Sequence, residues 1–265
     1  MKKFAALIAA IVASLALNAA PVGNTSAPEL IQEGFFISCD SWINFRVGYE
    51  GDFVADGRMK QYEQGHGRVD TYQQDTNSGT VTLNILDRLD VYGVFGSSRT
   101  QADWRFQDDV AGTVTRIDME TKYNFLWGAG ARAILYEWCN TSLGLGGRYS
   151  SANYRPVWLT ADGVVQSVSG THCSWREWQI NLDVSYKIDL FTPYIGIKYS
   201  NARTKLKDFS IPISSDLTGS NSFKNRVPVG LYVGCSLSTG QYFMLNIEGR
   251  LIDEEAVTVS GDFRF

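Results

Sequence analysis

The chain has 265 residues with 28 acidic and 24 basic side chains, which give a net charge of −4. This acidic balance argues against nucleic acid or an anionic surface as a partner. The 14 Phe, 13 Tyr, 7 Trp and 25 Gly suit a membrane barrel, whose strands carry aromatic girdles. No linker, compositional shift or long repeat divides the chain, so we expect one domain.

The N-terminal residues predict an export signal. Lys2 and Lys3 form a short positive segment, an uncharged apolar run covers 4–17, and small residues lead to Ala19. The run is shorter than the roughly 20 residues that a spanning helix needs, so a membrane anchor is the less favoured alternative. We predict a signal peptide at 1–19, cleavage after Ala19, and a barrel domain at 20–265.

Apolar and polar side chains alternate along most of the remaining chain, as in strands whose two faces meet different surroundings. No uncharged apolar run after Ala20 is long enough for a spanning helix, so the mature chain is either exported and soluble or a membrane barrel. The predicted strands lie, in chain order, at 43–50, 81–85, 89–95, 113–135, 143–149, 178–188, 195–199, 227–237, 243–251 and 257–265.

The stretch 113–135 is unusually long for one strand, and its alternation holds throughout. It is either one strand that projects far beyond the membrane, which we favour, or two strands joined by a phase-preserving turn near Asn124. A tight turn at 139–140 then leads into its partner at 143–149.

Loop lengths indicate the orientation of the barrel. Short turns at 87–88, 139–140, 189–193 and 238–241 alternate with long polar segments, which we interpret as loops at 51–79, 99–112, 151–174 and 205–224. Bacterial barrels have short periplasmic turns and longer external loops. We therefore expect an all-β fold, a closed antiparallel transmembrane β-barrel of about 10 to 12 strands, the higher number if 69–76 contains a further hairpin. Closure is required because an open edge in hydrocarbon would leave backbone groups unpaired.

The last strand alternates up to a terminal phenylalanine. Phe263 and Phe265 share the apolar face, and we interpret them as an assembly signal that the barrel-assembly machinery recognises. This ending predicts an integral protein of the bacterial outer membrane, with outer-membrane lipid as its surroundings.

Several phrases resemble those of the chlamydial major outer membrane porins. They are A-P-V-G-N at 20–24, F-R-V-G-Y-E-G-D-F-V at 45–54, D-R-L-D-V-Y-G-V-F-G at 87–96, G-A-R-A-I-L-Y-E at 130–137, L-F-T-P-Y-I-G-I-K-Y-S at 190–200 and L-I-D-E-E-A at 251–256. The resemblance implies a general diffusion porin with antigenic external loops, a tendency to form homo-oligomers, and cysteines that cross-link envelope proteins. This chain is much shorter and poorer in cysteine, which leaves the pore width and the cross-linked coat open.

The polar face of the strands is expected to line the lumen. Salt-bridged filling of a closed barrel and a narrow water path both fit a barrel of this size, since about eight strands are just filled by side chains and sixteen leave a channel. Lumen-facing glycines favour the water path slightly, and an excess of bases predicts weak anion preference. The predicted pore-lining residues are Arg46, Arg132, Arg148, Asp183, Lys187, Lys198, Glu248, Arg250 and Arg264, and the carboxylates of Glu50, Asp90 and Asp262 are expected on the same face.

Four cysteines suit an oxidising compartment and are disulfide candidates. Cys39 and Cys139 are expected on the periplasmic side, Cys235 on the lipid-facing side of a strand, and Cys173 in an external loop. Three pairings are open; Cys39 with Cys139 needs the least strain, which leaves Cys173 reactive or paired with another molecule.

An outer membrane hydrolase is the less favoured alternative. A catalytic base could come only from His66, with Asp70 nearby, or from His172, with Cys173 and Glu177 nearby. Neither set has the ligands of a metal site. We therefore expect no enzyme activity, no catalytic residue, no metal and no cofactor.

The sequence thus predicts a porin-like barrel that allows passive diffusion of small hydrophilic solutes and has a structural role in the envelope. The alternative is a non-conducting structural or adhesin barrel that displays antigenic loops.

Overall fold

The computed structural model describes residues 20–35, 41–62, 66–107, 114–209 and 219–265. It contains one short helix, α1 (Ala27–Leu30), among the described residues. None of the helices in these ranges is long and apolar enough to cross a membrane.

The described strands are β1 (Ile31–Glu33), β2 (Ile43–Gly57), β3 (Met59–Tyr62), β4 (His66–Ile85), β5 (Leu89–Gln107), β6 (Val114–Thr121), β7 (Asn124–Trp138), β8 (Thr141–Tyr154), β9 (Pro156–Ala161), β10 (Val164–Val165), β11 (His172–Tyr186), β12 (Phe191–Phe209), β13 (Gly219–Asn225), β14 (Val229–Ser238), β15 (Gly240–Gln241), β16 (Phe243–Leu251) and β17 (Glu254–Arg264).

Ten of these strands form a closed antiparallel ring in the order β2, β4, β5, β7, β8, β11, β12, β14, β16 and β17. The ring closes where β17 pairs with β2, with Val259 opposite Gly51. The predicted fold class is confirmed, with ten strands. Closure satisfies the backbone groups that lipid cannot hydrogen-bond.

The outward face is apolar across the membrane and ends in aromatic rings. Val91, Ile195 and Val233 are exposed on it, where lipid would surround them. Near the external interface, Trp127 packs against Tyr149 with ring centroids 5.6 Å apart, as expected of an interfacial girdle.

The four segments predicted as long loops are largely strand. The segment 51–79 contains the end of β2, all of β3 and much of β4, and the polar stretch 69–76 lies within β4 and forms no hairpin. The loop prediction was wrong because both strand faces lose their simple alternation outside the membrane. There the outward face meets water and carries charges: Asp70 on β4 bonds to Arg105 on β5.

The long stretch 113–135 is two strands in line. Both β6 and β7 pair antiparallel with β5, β6 with its outer part and β7 with its inner part. Lys122 and Tyr123 interrupt the run, and above them β6 pairs with β5 on one side and with β9 on the other. The favoured single strand was therefore wrong. The chain does break near Asn124, but not at a phase-preserving turn, because Ile117 is buried whereas Phe125, of the same parity, is exposed.

Apolar side chains fill the external end of the barrel. We call this cluster the outer core; it includes Trp104, whose ring meets that of Phe223 edge-on at 5.4 Å, together with Ile117, Leu126 and Leu206. The cluster draws on strands β3 to β13 and is absent from the flank of β14, β16 and β17 within the described chain. It closes the taller side of the barrel.

Candidate functional site: the lumen and its N-terminal segment

Residues 20–31 lie inside the barrel, and we call them the N-terminal segment. Ala20, Val22 and Thr25 are buried, as is nearly every other side chain of this segment. At the periplasmic end the chain continues into β1, which pairs in parallel with β15. The segment therefore runs up the lumen from the periplasmic opening to a point below the outer core.

The outer end of the segment is held by carboxylates. The main-chain nitrogen of Ala20 donates to Glu177 at 3.3 Å. Those of Val22 and Gly23 donate to the two oxygens of Glu248 at 3.0 and 2.8 Å. Because hydrogen bonds to charged acceptors are the stronger kind, these contacts fix the backbone of 20–23 in the lumen.

The middle of the segment meets Asp183. Its carboxylate accepts from the nitrogen of Thr25 at 3.2 Å, from the Thr25 hydroxyl, and from the Tyr232 hydroxyl at 2.9 Å. Gly144 faces the same place: a Cβ there would lie 2.0 Å from the Thr25 hydroxyl oxygen. The absence of a side chain at Gly144 thus makes room for the segment.

The periplasmic end is held through its carbonyl groups. Arg46 donates to the Ala27 carbonyl at 2.7 Å, and Arg264 donates to that of Ile31. The Ser238 hydroxyl donates to the Leu30 carbonyl at 2.6 Å. Pro28 lies in the first turn of α1, and the Asn24 side chain accepts from the Ser26 main-chain nitrogen at 2.9 Å, so local turn chemistry shapes this end of the segment.

Ion pairs cross the lumen around the segment. Arg148 makes a two-pronged contact with Glu50, both distances being 3.0 Å. Asp90 accepts from Arg46 and, at 2.7 Å, from Arg132. Glu50 on β2 and Arg148 on β8 lie four strands apart in the ring, whereas Asp90 on β5 bonds to closer strands. Together these side chains fill part of the cross-section and lower the space available for water.

A second network lies toward the short external turn between β16 and β17. Arg250 donates to Asp52 at 2.7 Å and to Glu254 at 3.1 Å. Lys198 pairs with Asp253 at 3.0 Å and with Glu254. All five side chains are buried, so two bases are shared among three carboxylates, and each base has two acidic partners within this set.

The structure places the predicted lining residues as follows. Buried in the interior are Arg46, Arg148, Asp183, Lys198, Glu248, Arg250 and Arg264, with Arg132 partly buried beside them. Lys187 follows β11 in the periplasmic turn, where its main-chain nitrogen donates to the Asn140 carbonyl at 2.8 Å. It therefore lies at the rim.

Sequence reasoning missed four interior carboxyl residues, namely Asp52, Glu177, Asp253 and Glu254. Asp52 and Glu177 share the parity of predicted lining residues, so extending the alternation into the supposed loops would have found them. Among the residues that the structure describes, nine buried carboxyl side chains face five fully buried bases, which removes the basis for the expected anion preference.

Little free space remains beside the segment. A cavity of about 30 Å³ touches Tyr92, Arg132 and Asp262, enough for roughly two water molecules. The inward glycines are covered: a Cβ on Gly196 would meet the Tyr232 ring at 2.5 Å, and one on Gly234 the Tyr194 ring at 2.3 Å. These glycines therefore make room for aromatic rings. The sequence predicts that they leave a narrow water path, and they do not.

The cysteines are placed as follows. Cys139 is exposed in the turn after β7, and Cys235 is half-buried on β14; both are free, as is Cys173. Cys39 lies outside the described residues, so its pairing with Cys139 stays a prediction. Cys173 is not in a loop: it lies on β11 within the outer core, where burial raises the pKa of its thiol to about 12.

The histidines do not form the sets drawn from the sequence. His172 is exposed while its neighbour Cys173 points into the outer core, because successive residues of a strand face opposite sides. Asp70 is bonded to Arg105, which lowers the pKa of this carboxyl. The side chain of His66 lies outside the described part. Among the described residues no three His, Cys, Asp or Glu side chains could hold a metal ion together.

Phe263 and Phe265 lie at the periplasmic end. Phe263 is exposed on the outward face and packs against Phe243 at 4.8 Å between ring centroids. The Phe265 nitrogen donates to the Phe45 carbonyl at 2.9 Å across the barrel closure. Their role in assembly stays a prediction.

Comparisons with known proteins agree with this architecture. A family described as Chlamydia major outer membrane protein matches residues 155–215. The serovar H major outer membrane porin of Chlamydia trachomatis is 24% identical over 388 aligned positions, which cover 98% of each chain. The serovar D porin is 25% identical, again over 98% of each chain.

Solved structures with a similar shape include an outer membrane channel from Pseudomonas putida F1, with a TM-score of 0.43, 11% identity, and coverage of 94% of this chain and 100% of that one. The outer membrane protease OmpT from Escherichia coli has a TM-score of 0.40 and is 12% identical, with coverage of 84% of this chain and 95% of that one. Likenesses this distant say nothing about activity.

The resemblance to the chlamydial major outer membrane porins is confirmed, and it extends over nearly the whole of this shorter chain. Its 265 residues align across 388 positions, so many residues of the relatives have no counterpart here. The chain is an integral outer-membrane β-barrel.

Proposed function

We propose that this chain is a gated porin that also contributes to envelope structure. Small hydrophilic solutes diffuse through it passively when the N-terminal segment leaves the lumen, and the described conformation is the closed state. The occupied lumen is the observation that carries this proposal. The relatives' name, major outer membrane porin, supports the porin class.

The type of contact that holds the N-terminal segment is compatible with its release from the lumen. Above β1, its polar contacts are bonds to lumenal side chains such as Glu248 and Asp183. Water that enters the lumen can replace these bonds, at a cost of about 1.5–3 kcal/mol for each bond to a charged group, whereas a barrel strand cannot leave its ladders in lipid. The segment is therefore the element of the lumen that can move while the barrel stays closed.

A permanently closed structural barrel is the second candidate. The outer core favours it, because Trp104 and its neighbours close the external end without help from the segment. In that case the chain stabilises the envelope and displays its external strands, and no solute passes.

Conductance in planar bilayers distinguishes the two functions. The mature protein, purified from an outer membrane after signal-peptide cleavage, is compared with a variant that lacks residues 20–31. The gated porin predicts rare discrete steps for the first protein and persistent, salt-dependent steps for the second. A folded, heat-modifiable barrel that stays silent in both forms would instead support the structural barrel.

We propose further that the chain is not an enzyme, since the described histidine and carboxylate pairs lack catalytic geometry. Unchanged conductance and unchanged envelope integrity after replacing His66 and His172 by alanine would support this, and loss of either with the fold intact would refute it. As partners we propose the surrounding membrane lipid, the machinery that assembles the barrel, and the small solutes that pass through it. Other copies of the chain, and envelope proteins cross-linked to it through cysteine, are further proposed partners.

A further inference from the structure

A row of basic side chains crosses four neighbouring strands on the outward face above the membrane. Arg176 on β11 lies opposite Arg203 on β12, Arg203 lies opposite Lys224 on β13, and Lys224 lies opposite Lys60 on β3. Lys205 and Lys207 follow on the same face of β12 and are exposed. We call these six residues the basic face.

The arrangement is unfavourable for the protein alone, because like charges directly opposite each other on a sheet repel. Arg203 donates to the neutral side chain of Asn201 at 3.2 Å. Within the described part of the chain, no carboxylate forms an ion pair with Arg176, Arg203 or Lys60. The cost of placing Arg176 against Arg203 would be offset by an anion bound between them.

Another flank at a similar level is built differently. On β4, β5 and β6 the outward charges alternate in sign: Arg105 contacts Asp70 at 2.5 Å and Arg99 contacts Asp75 at 2.8 Å, while Arg116 pairs with Asp103. Exposure to water alone is therefore insufficient to explain the basic face, since this flank meets the same solvent with balanced charges.

The height of the basic face indicates what lies against it. Trp178 is two residues below Arg176 on the same face of β11, and its ring packs against Tyr199 with centroids 5.5 Å apart. Two strand residues span about 7 Å, and aromatic girdles mark the membrane interface. Arg176 and Arg203 thus lie at the level of the lipid headgroups of the outer leaflet.

A groove follows the basic face, with a volume of about 680 Å³ and a lining that includes Arg176, Trp178, Arg203, Lys205 and Lys207. Its volume falls within the roughly 300–1,000 Å³ of small-molecule sites. Guanidinium groups match phosphate oxygens in two-pronged contacts, and the aromatic floor suits the apolar part of a lipid.

We propose that the basic face is a binding site for the phosphate-bearing headgroups of outer-leaflet lipid. The acidic balance of the whole chain argued against an anionic surface as a partner, but the charge of this face is opposite to that of the molecule. The site is independent of conduction through the lumen.

Purified barrel in detergent tests the proposal by binding of diphosphorylated lipid A, measured by native mass spectrometry and by the shift of the unfolding temperature. Arg176→Gln with Arg203→Gln should weaken binding at least tenfold. The matched control, Arg105→Gln with Arg116→Gln, removes the same charges from the balanced flank and should bind as the unmodified protein does.

Three results would overturn the proposal. Equal affinity of the Arg176→Gln/Arg203→Gln variant and the unmodified protein would show that the basic face does not bind the lipid. Equal binding of dephosphorylated lipid would rule out phosphate recognition. An equal shift with inorganic phosphate at the same phosphate concentration would rule out a lipid-specific site.

Discussion

The main-chain nitrogen of Ala20 lies 3.3 Å from Oε2 of Glu177, inside the barrel. Glu177 is 2% exposed, and its other carboxylate oxygen has no hydrogen-bond partner among the described atoms. Cleavage after Ala19, which the sequence predicts, turns this nitrogen into an ammonium group with three donors. The cleaved terminus would then compensate a buried charge that a peptide nitrogen leaves poorly satisfied.

Replacing Glu177 by glutamine should therefore loosen the segment. Removing one member of a buried ion pair costs about 3–5 kcal/mol, and even a third of that would raise the open probability about tenfold. Single-channel recording measures this change. Glu120→Gln, which removes an exposed partner of Arg99 on the outward face, is the control; the same open probability in both variants would contradict the role of Glu177.

Gly144→Ala should displace the segment by steric contact. The new Cβ would lie 2.0 Å from Oγ1 and 2.5 Å from Cβ of Thr25, so the segment or the strand must move. We expect faster hydrogen exchange over 20–31, read by mass spectrometry. Gly147→Ala on the same strand meets its nearest atom at 3.4 Å and should leave exchange unchanged; if both variants exchange as the parent does, the segment does not occupy this place.

Trp104→Ala should destabilise the outer core. Trp104 is 1% exposed, and truncating a buried tryptophan typically costs about 3–5 kcal/mol. Unfolding in detergent, followed by heat-dependent gel mobility, gives the change. Trp158→Ala removes a ring that is 49% exposed and should cost much less. Equal losses would show that the cluster around Trp104 does not pack as described.

Cys173 should resist alkylation in the folded barrel. Burial raises the pKa of its thiol to about 12, so the thiol stays protonated at pH 8 and is also shielded from reagent. Iodoacetamide followed by peptide mass spectrometry should modify the exposed Cys139 and reach Cys173 only after unfolding. Rapid modification of Cys173 in folded protein would restore the external, reactive position that the sequence predicted.

The barrel itself was predictable, and the reason is physical. Lipid on the outside and polar contacts on the inside impose a strict period of two, so residues such as Val91 and Arg250 reveal their faces from sequence alone. Above the membrane that contrast disappears, so the sequence predicts loops where the first part of β4, up to Gly79, and the last part of β5, from Arg99, continue as strands.

The occupied lumen was not predictable from local patterns. The phrase A-P-V-G-N carries no alternation or charge that indicates an interior position. Its place depends on distant partners such as Glu248 and Asp183, which only the closed ring brings together. For the same reason, the sequence places Gly144 in a strand but does not reveal that it contacts Thr25.

A reversible covalent lock tests the gated lumen most directly. The hydroxyl groups of Ser26 and Ser185 are in contact, so Ser26→Cys with Ser185→Cys should form a disulfide between segment and wall, in a background whose native cysteines are replaced by alanine. Recorded in a planar bilayer, the oxidised barrel should be silent, and reduction should restore discrete salt-dependent steps. Steps of the same frequency before and after reduction, or silence in both states, would contradict control of the passage by the N-terminal segment.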